Sequence, residues 1–304
     1  MNVALCCIAK SENKYIREFV EHYKLLGFSS VFIYDNNDVN GERFEDVISD
    51  YIENGFVKIV NFRGKNRAMF DAYNDCYKNR CNGYDWVCFF DCDEFLTLQK
   101  DNSIDKYLSR PCFENYDMIA VNWELYGDND LVTYEDKPVQ QRFTKPMDKD
   151  FYIFHGKYEN RQVKAILRTN LKGVYFGNPH FPFGNYRSCN ASGKYSQFGK
   201  RISGKGYDIF WDKPLDYDLV KLKHYRTKTA EEFADKILRG YPDIDKASKS
   251  SQFLLSKEFF FKHNKKTAEK EKFFKHNLTD NSDRHESTHL QIKNRFIIKN
   301  FGGI

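Results

Sequence analysis

Trp86-Val-Cys-Phe-Phe-Asp91-Cys-Asp93-Glu-Phe-Leu96 is the stretch on which the fold turns. Its opening apolar run has no polar break, which marks a strand covered on both faces, as in a parallel sheet packed between helices. The strand runs straight into Asp91 and Asp93, two residues apart, so both carboxylates can point to one side of the chain. Two hard oxygen donors at that spacing suit Mn²⁺ or Mg²⁺, which keep further positions for water and a diphosphate. The plain alternative is a solvated acidic turn. The apolar flanks, which bury the neighbours and leave the carboxylates out, favour the ligand reading.

Upstream, Val3 to Ala9 reads as a buried strand. Ser11 reads as the cap of a helix whose apolar positions Ile16, Phe19, Val20, Tyr23 and Leu26 recur at helical spacing until Gly27. Ser30 to Tyr34 forms a second strand ending in Asp35-Asn-Asn-Asp38, and Phe44 to Ile52 a helix. Phe56 to Val60 is a third strand and Arg67 to Lys78 another helix, which makes the Trp86 run the fourth strand. This alternation predicts an α/β fold with a mixed, mainly parallel central sheet flanked by helices. Ligands collect at the carboxyl ends of such strands. Lys10-Ser11-Glu12, Asp35-Asn36-Asn37 and Asp91 to Glu94 all fall there.

Beyond residue 110 the pattern loosens. Met118 to Val121 reads as a strand leading into Asn122-Trp-Glu124-Leu-Tyr-Gly-Asp128. Gln162 to Arg168 alternates like a strand, and Lys164 and Arg168 on it could hold phosphate oxygens or be ordinary surface charge. The Gly-, Asn- and aromatic-rich stretch from Asn178 to Tyr207 suits acceptor-facing loops, and Ala230 to Leu238 is helical.

The length of 304 residues accommodates one catalytic domain, 1–241, and a basic, mostly helical extension, 242–304. From Lys246 onward there are 13 Lys or Arg against 6 Asp or Glu, about +7, which leaves the body near −2. Such a tail favours an anionic membrane surface or a protein partner over nucleic acid, which is not expected as a partner. No apolar run approaches the roughly 18 residues of a membrane span. The short apolar opening reads as a strand, not a signal peptide, so a cytoplasmic protein, peripheral at most at the inner membrane face, is expected. The eight cysteines form no Cys-x-x-Cys pair and read as reduced, mostly buried thiols.

The Trp86–Leu96 segment resembles the metal-binding segment of the family-92-like glycosyltransferases, relatives of the family-2 enzymes with the GT-A fold. The resemblance spans residues 1–241. It takes in Ile8-Ala-Lys-Ser-Glu-Asn13, Ile33-Tyr-Asp-Asn36, Asn122-Trp123 with Tyr126-Gly127, Val163 to Arg168, and His224-Tyr-Arg-Thr-Lys228 through Arg239-Gly240. It implies an inverting, Mn²⁺- or Mg²⁺-dependent transfer from a nucleotide-sugar, UDP-sugar favoured, to a glycan or lipid-linked acceptor in surface polysaccharide or lipopolysaccharide synthesis. Glu12 and Asp35 would then meet the nucleoside, Asp91 and Asp93 the ribose and the metal–diphosphate side, and Asp91, Asp93 and His224 would hold the metal, with His180 the alternative ligand. Lys228 would meet the diphosphate, and Lys164 and Arg168, if not ordinary surface charge, are the further donor-binding candidates. Independently of the resemblance, inversion needs a carboxylate or His to take the acceptor proton; Glu124 or Asp128, after a strand on the acceptor side of the motif, could serve, and Glu94 reads as a supporting or structural residue. One departure from the family is Met69-Phe70, where a polar residue is expected, so donor contacts from that helix, including those of Arg67, are not carried over. The other readings are a nucleotidyltransferase, disfavoured because Lys10-Ser-Glu-Asn lacks phosphate-cradling glycines, an aspartate-based phosphatase, disfavoured because the motif follows the fourth strand, and a non-catalytic sugar-binding or scaffold relative docked through its basic tail.

Overall fold

In the computed structural model the described residues are 1–154, 157–198, 201–202, 206–207, 214–240 and 249–278. Four parallel strands form one half of the main sheet: β1 (Val3–Ala9), β2 (Ser30–Asp35), β3 (Val57–Asn61) and β4 (Trp86–Phe89). The chain then adds β5 (Glu94–Leu98), β6 (Met118–Leu125), a small hairpin of β7 (Tyr152–Phe154) and β8 (Lys157–Tyr158), β9 (Val163–Arg168) and β10 (Ser188–Asn190). A second hairpin, β11 (Arg201–Ile202) with β12 (Gly206–Tyr207), precedes β13 (Val220–His224). The main sheet has nine strands in the order β3-β2-β1-β4-β9-β6-β13-β5, with β10 beside β6. The α/β class and the mainly parallel sheet are as expected. The parallel order breaks at β9, antiparallel to both β4 and β6, and again at the edge, where β5 runs antiparallel to β13.

Alternating residues of β1 feed two cores, as the two-residue period of a strand requires. Val3, Leu5 and Cys7 pack on the side of α1 (Ile16–Leu25) and α2 (Glu45–Glu53). Ala4, Cys6 and Ile8 pack on the side of α3 (Met69–Asp75). The buried face of α1 is Ile16, Phe19, Val20 and Tyr23, as its spacing predicts. Ser11 does not cap that helix: its φ is 54°, the helix begins five residues later, and the Ser11 N–H is bound to Asn37 Oδ1 at 2.7 Å. The helix expected from Arg67 to Lys78 is α3 followed by a π turn, Cys76–Arg80. All eight cysteines are free and seven are buried.

Short helices α4 (Ile104–Leu108) and α5 (Val139–Arg142) follow, and then α6 (Ala230–Arg239), whose start carries a complete capping box between Thr229 and Glu232. Glu232 also takes both terminal nitrogens of Arg142, at 2.8 and 2.9 Å, in an ion pair with each side chain 1% exposed. Burial pushes the Glu232 pKa up, but Arg142 and Lys228 outweigh it and hold it at about 2. Beyond residue 248 come α7 (Lys249–Leu254), α8 (Lys257–His263) and α9 (Ala268–Leu278). Phe259, Phe260 and Phe274 from these helices share a core with Ala230, Phe233 and Ala234 of α6. The Phe-rich part of the extension is thus packed against the body. Parts of the 178–207 loops, and of the extension at 241–248 and 279–304, lie outside the described residues.

Candidate active site

The cavity that carries the acidic motif has a volume of about 290 Å³ and opens at the carboxyl ends of β1 and β4. At the end of β1 the left-handed Ser11 turns the chain so that Glu12 lines the cavity. Glu12 is buried; its Oε1 lies 2.5 Å from Arg239 Nη1, while its Oε2 has no hydrogen-bond partner among the described residues. The turn from β4 to β5 is closed by Asp91 N–H donating to Glu94 Oε2 at 2.8 Å and Glu94 N–H donating to the Asp91 carbonyl at 3.0 Å. Glu94 is fully buried and accepts from Trp123 Nε1 at 2.6 Å, so it fixes the turn from behind.

Both motif carboxylates meet an ammonium group. Asp91 accepts from Lys164 Nζ at 2.7 Å and from the Tyr73 hydroxyl at 3.0 Å. Burial works against the charge on Lys164, but Asp91 and Glu94 outweigh it and raise its pKa above the ordinary lysine value. Asp93 accepts from Lys236 Nζ at 3.2 Å and faces His224 Nε2 at 3.4 Å. Burial opposes the charge on Asp93 too, yet Lys236, His224 and Lys228 hold it well below the usual carboxylate range. His224 reaches this place because β13 pairs antiparallel with β5, setting it opposite Glu94 and next to Asp93. Burial lowers the His224 pKa, which favours the neutral imidazole that a metal ligand requires. Its Nδ1 is buried without a partner among the described residues.

The donor set therefore fits a hard divalent ion in kind: two carboxylates and a neutral imidazole. Asp93 and His224 face each other as a pair, whereas Asp91 turns to Lys164. Among the described residues no three His, Cys, Asp or Glu side chains are already gathered around one point.

Other expectations fare differently. His180 lines the cavity with its ring against Trp123 at 5.3 Å, and burial lowers its pKa to about 3. Lys228 is outside the lining; it is buried with Nζ 4.2 Å from the Tyr15 ring centre, although its charge still acts on Asp93. Asp35 is also outside the lining, its oxygens taken by Arg63 at 2.6 Å and the Asn37 N–H at 2.9 Å.

Three assignments need correction. Arg168 pairs in register with Trp86, the first residue of β4, so the antiparallel course of β9 carries it to the opposite end of the sheet from Asp91. There it covers the Trp86 ring at 4.3 Å and donates to the Tyr116 carbonyl. Glu124 is next to the cavity-lining Trp123, but alternation along β6 turns it to the other face, where it binds Lys221 at 2.8 Å and the Tyr126 hydroxyl at 2.7 Å. Asp128 is drawn to the extension, 2.5 Å from Lys270 Nζ, and is not in the lining. Neither carboxylate lines the cavity of Asp91 and Asp93.

The cavity holds groups that the sequence did not single out: Gln162, Arg226, Lys236 and Arg239. Lys236 and Arg239, three apart near the end of α6, share one helix face, a spacing that was open to reading. Met69 lines the cavity where a polar residue was expected, so that wall is apolar.

Residues 2–192 match the family described as glycosyltransferase family 92. The chain belongs to that family. Among curated relatives, a galactan beta-1,4-galactosyltransferase of Arabidopsis thaliana is 27% identical over 193 residues, which cover 59% of this chain and 35% of the relative. The Arabidopsis glycosyltransferase family 92 protein At1g27200 is 27% identical over 130 residues, 41% of this chain and 21% of that protein. The family-92 chain thus spans about a third of the first relative and a fifth of the second. Among solved structures, S. aureus TarS 1-349 in complex with UDP-GlcNAc aligns with 92% of this chain and 80% of its own, at 13% identity and a TM-score of 0.40. Membership of family 92 sets aside the nucleotidyltransferase and phosphatase readings.

Proposed function

We propose that this family-92 protein transfers a sugar, with inversion, from a nucleotide-sugar to a glycan or lipid-linked acceptor, and that the cavity around Asp91 and Asp93 binds the donor. UDP is favoured as the nucleotide by the family resemblance, and the galactosyltransferase among the relatives makes UDP-galactose the first donor to try. The observation that carries the reading is the facing pair Asp93–His224, ringed by Lys164, Lys236, Arg226 and Arg239 in one cavity at the strand ends. Glu12, with one oxygen unpartnered among the described residues, is the group for donor hydroxyls or a base N–H. Lys164, Lys236 and Arg239 would neutralise the diphosphate.

Asp91, Asp93 and His224 would hold Mn²⁺ or Mg²⁺, which would supply Lewis-acid neutralisation of diphosphate charge. A second reading rests on the lysine against each motif carboxylate: the protein's own cations could neutralise the diphosphate without a metal. One experiment separates the two. In a thermal-shift panel of UDP, GDP, CDP and ATP with and without Mn²⁺, a ligand at 100 times its dissociation constant stabilises by about 2.7 kcal/mol. A shift only with UDP plus Mn²⁺ supports the metal reading, an equal shift in chelator the second, and no shift in folded protein contradicts both.

No helix among the described residues is long and apolar enough to cross a membrane. Exposed Lys257, Lys262, Lys265, Lys266, Lys272 and Lys275 on α8, α9 and their connection support contact with an anionic membrane face near a lipid-linked acceptor. Such contact must weaken with added salt; salt-insensitive vesicle binding would contradict it.

A further inference from the structure

The helices beyond residue 248 reach into the cavity. Leu254 of α7 lines it together with Arg239 and Gly240. Behind the cavity wall, Phe259 of α8 sets its ring centre 4.6 Å from the Arg226 guanidinium carbon, with Trp123 further off at 5.9 Å. Phe259 is fully buried and stacks on Phe233 of α6, the ring planes 15° apart. Asn264, just past α8, donates to Thr227 Oγ1 at 3.2 Å and accepts from Asp128 N–H at 2.7 Å. A Cβ on Gly127 would sit 3.1 Å from Asn264 Oδ1, so the helices lie close against this turn. The extension therefore grips both segments that leave the sheet next to the site, Gly127-Asp128 after β6 and Arg226-Thr227 after β13.

Arg226 lines the cavity, and among the described residues only its Nη1 donates a hydrogen bond, to Glu159 Oε2 at 3.1 Å. A guanidinium has five N–H groups, which leaves donors for a ligand. Its planar fork matches two phosphate oxygens, and an aromatic face holds that plane in orientation.

We propose that Arg226 binds the diphosphate of the donor and that Phe259 is its positioning residue, so that residues 249–278 complete the active site. This rests on the donor-site reading above. Titration calorimetry of the full chain with UDP and Mn²⁺ tests it on Arg226→Gln, Phe259→Leu and the double variant, with uridine as the ligand that lacks phosphates. Should the panel select another nucleoside diphosphate, that diphosphate and its nucleoside are used. Each single variant is expected to weaken diphosphate binding about tenfold, the size of one lost charged hydrogen bond. The double variant should lose no more than the weaker single, because both changes remove one interaction. Uridine should bind all forms alike at a temperature where each is folded, which separates loss of the phosphate contact from the loss of stability expected when Arg226 leaves Glu159. If Phe259→Leu melts early, Phe259→Met fills the site without a ring. Wild-type affinity in the Phe259 variant, additive losses, or an equal loss for uridine would overturn the proposal. Absence of nucleotide binding in the wild type would instead defeat the donor-site reading itself.

Discussion

The two parts of the chain that meet at the cavity bring opposite chemistry. The first 98 residues, β1 to β5 with their helices, supply its carboxylates: Glu12, Asp91 and Asp93. The part from β9 onward supplies the imidazoles and, apart from Lys10, the cations: Lys164, His180, His224, Arg226, Lys236 and Arg239. The first part is built by short-range alternation of strand and helix. The second reaches the same place through long-range register and helix packing. The proposed nucleotide-sugar site would use both, since the acids suit a metal ion and hydroxyls while the cations suit phosphates. Their union depends on folding that joins distant segments.

Removing one acid should have the largest effect. Asp93→Asn keeps the shape of the side chain but ends its charge opposite His224 and Lys236. Donor turnover should fall on the order of 10³-fold, while circular dichroism reports an intact fold. Any UDP-induced thermal shift that remains should no longer respond to Mn²⁺. Retained turnover would break the division of labour between the two parts.

A smaller effect is expected from the tie between α6 and the body. Arg142→Met leaves Glu232 buried without its cation and should cost about 3–5 kcal/mol, lowering the melting temperature by roughly 5–10 °C. Donor affinity at permissive temperature should also weaken, because α6 carries Lys236 and Arg239. Unchanged stability would mean that the second part does not depend on this pair.

The smallest effect is a gradual one with pH. Burial lowers His180 and His263 to about 3, from the ordinary value of about 6.5. Between those values the unfolded chain binds more protons than the folded one, so stability rises with pH across the window. It is therefore complete above about 6.5 and lost as pH falls toward 3. Amide exchange at pH 5 against pH 7 should show protection declining first in α8 and near His180, with β1 to β4 retained. A uniform decline would erase the distinction between the two parts.

The difference also marks what could be read before folding. The Trp86 run, the alternation before it and the acidic strand ends were all legible, because local periodicity reports which residues face a core and where a strand stops. Lys164 was a candidate and stands against Asp91; Arg168, four residues on, was an equal candidate and lies at the far end of the sheet. Glu124 and Asp128 looked suited to proton transfer because they follow a strand. One faces away from Trp123, and the other is held by Lys270. Lys236 and Arg239 lay in a recognised segment, but no local signal told which helix face would meet β1.

By itself, the sequence determined the α/β class, the parallel strands around β1 and the placing of Glu12, Asp91 and Asp93 at strand ends. These follow from patterns two to four residues long, which the backbone geometry of strands and helices enforces. Tertiary structure alone decided that β9 inserts antiparallel between β4 and β6, that His224 pairs opposite Glu94, and that the extension packs behind Arg226. Those choices depend on hydrogen-bond register and side-chain packing between segments tens to hundreds of residues apart, where local spacing carries no information.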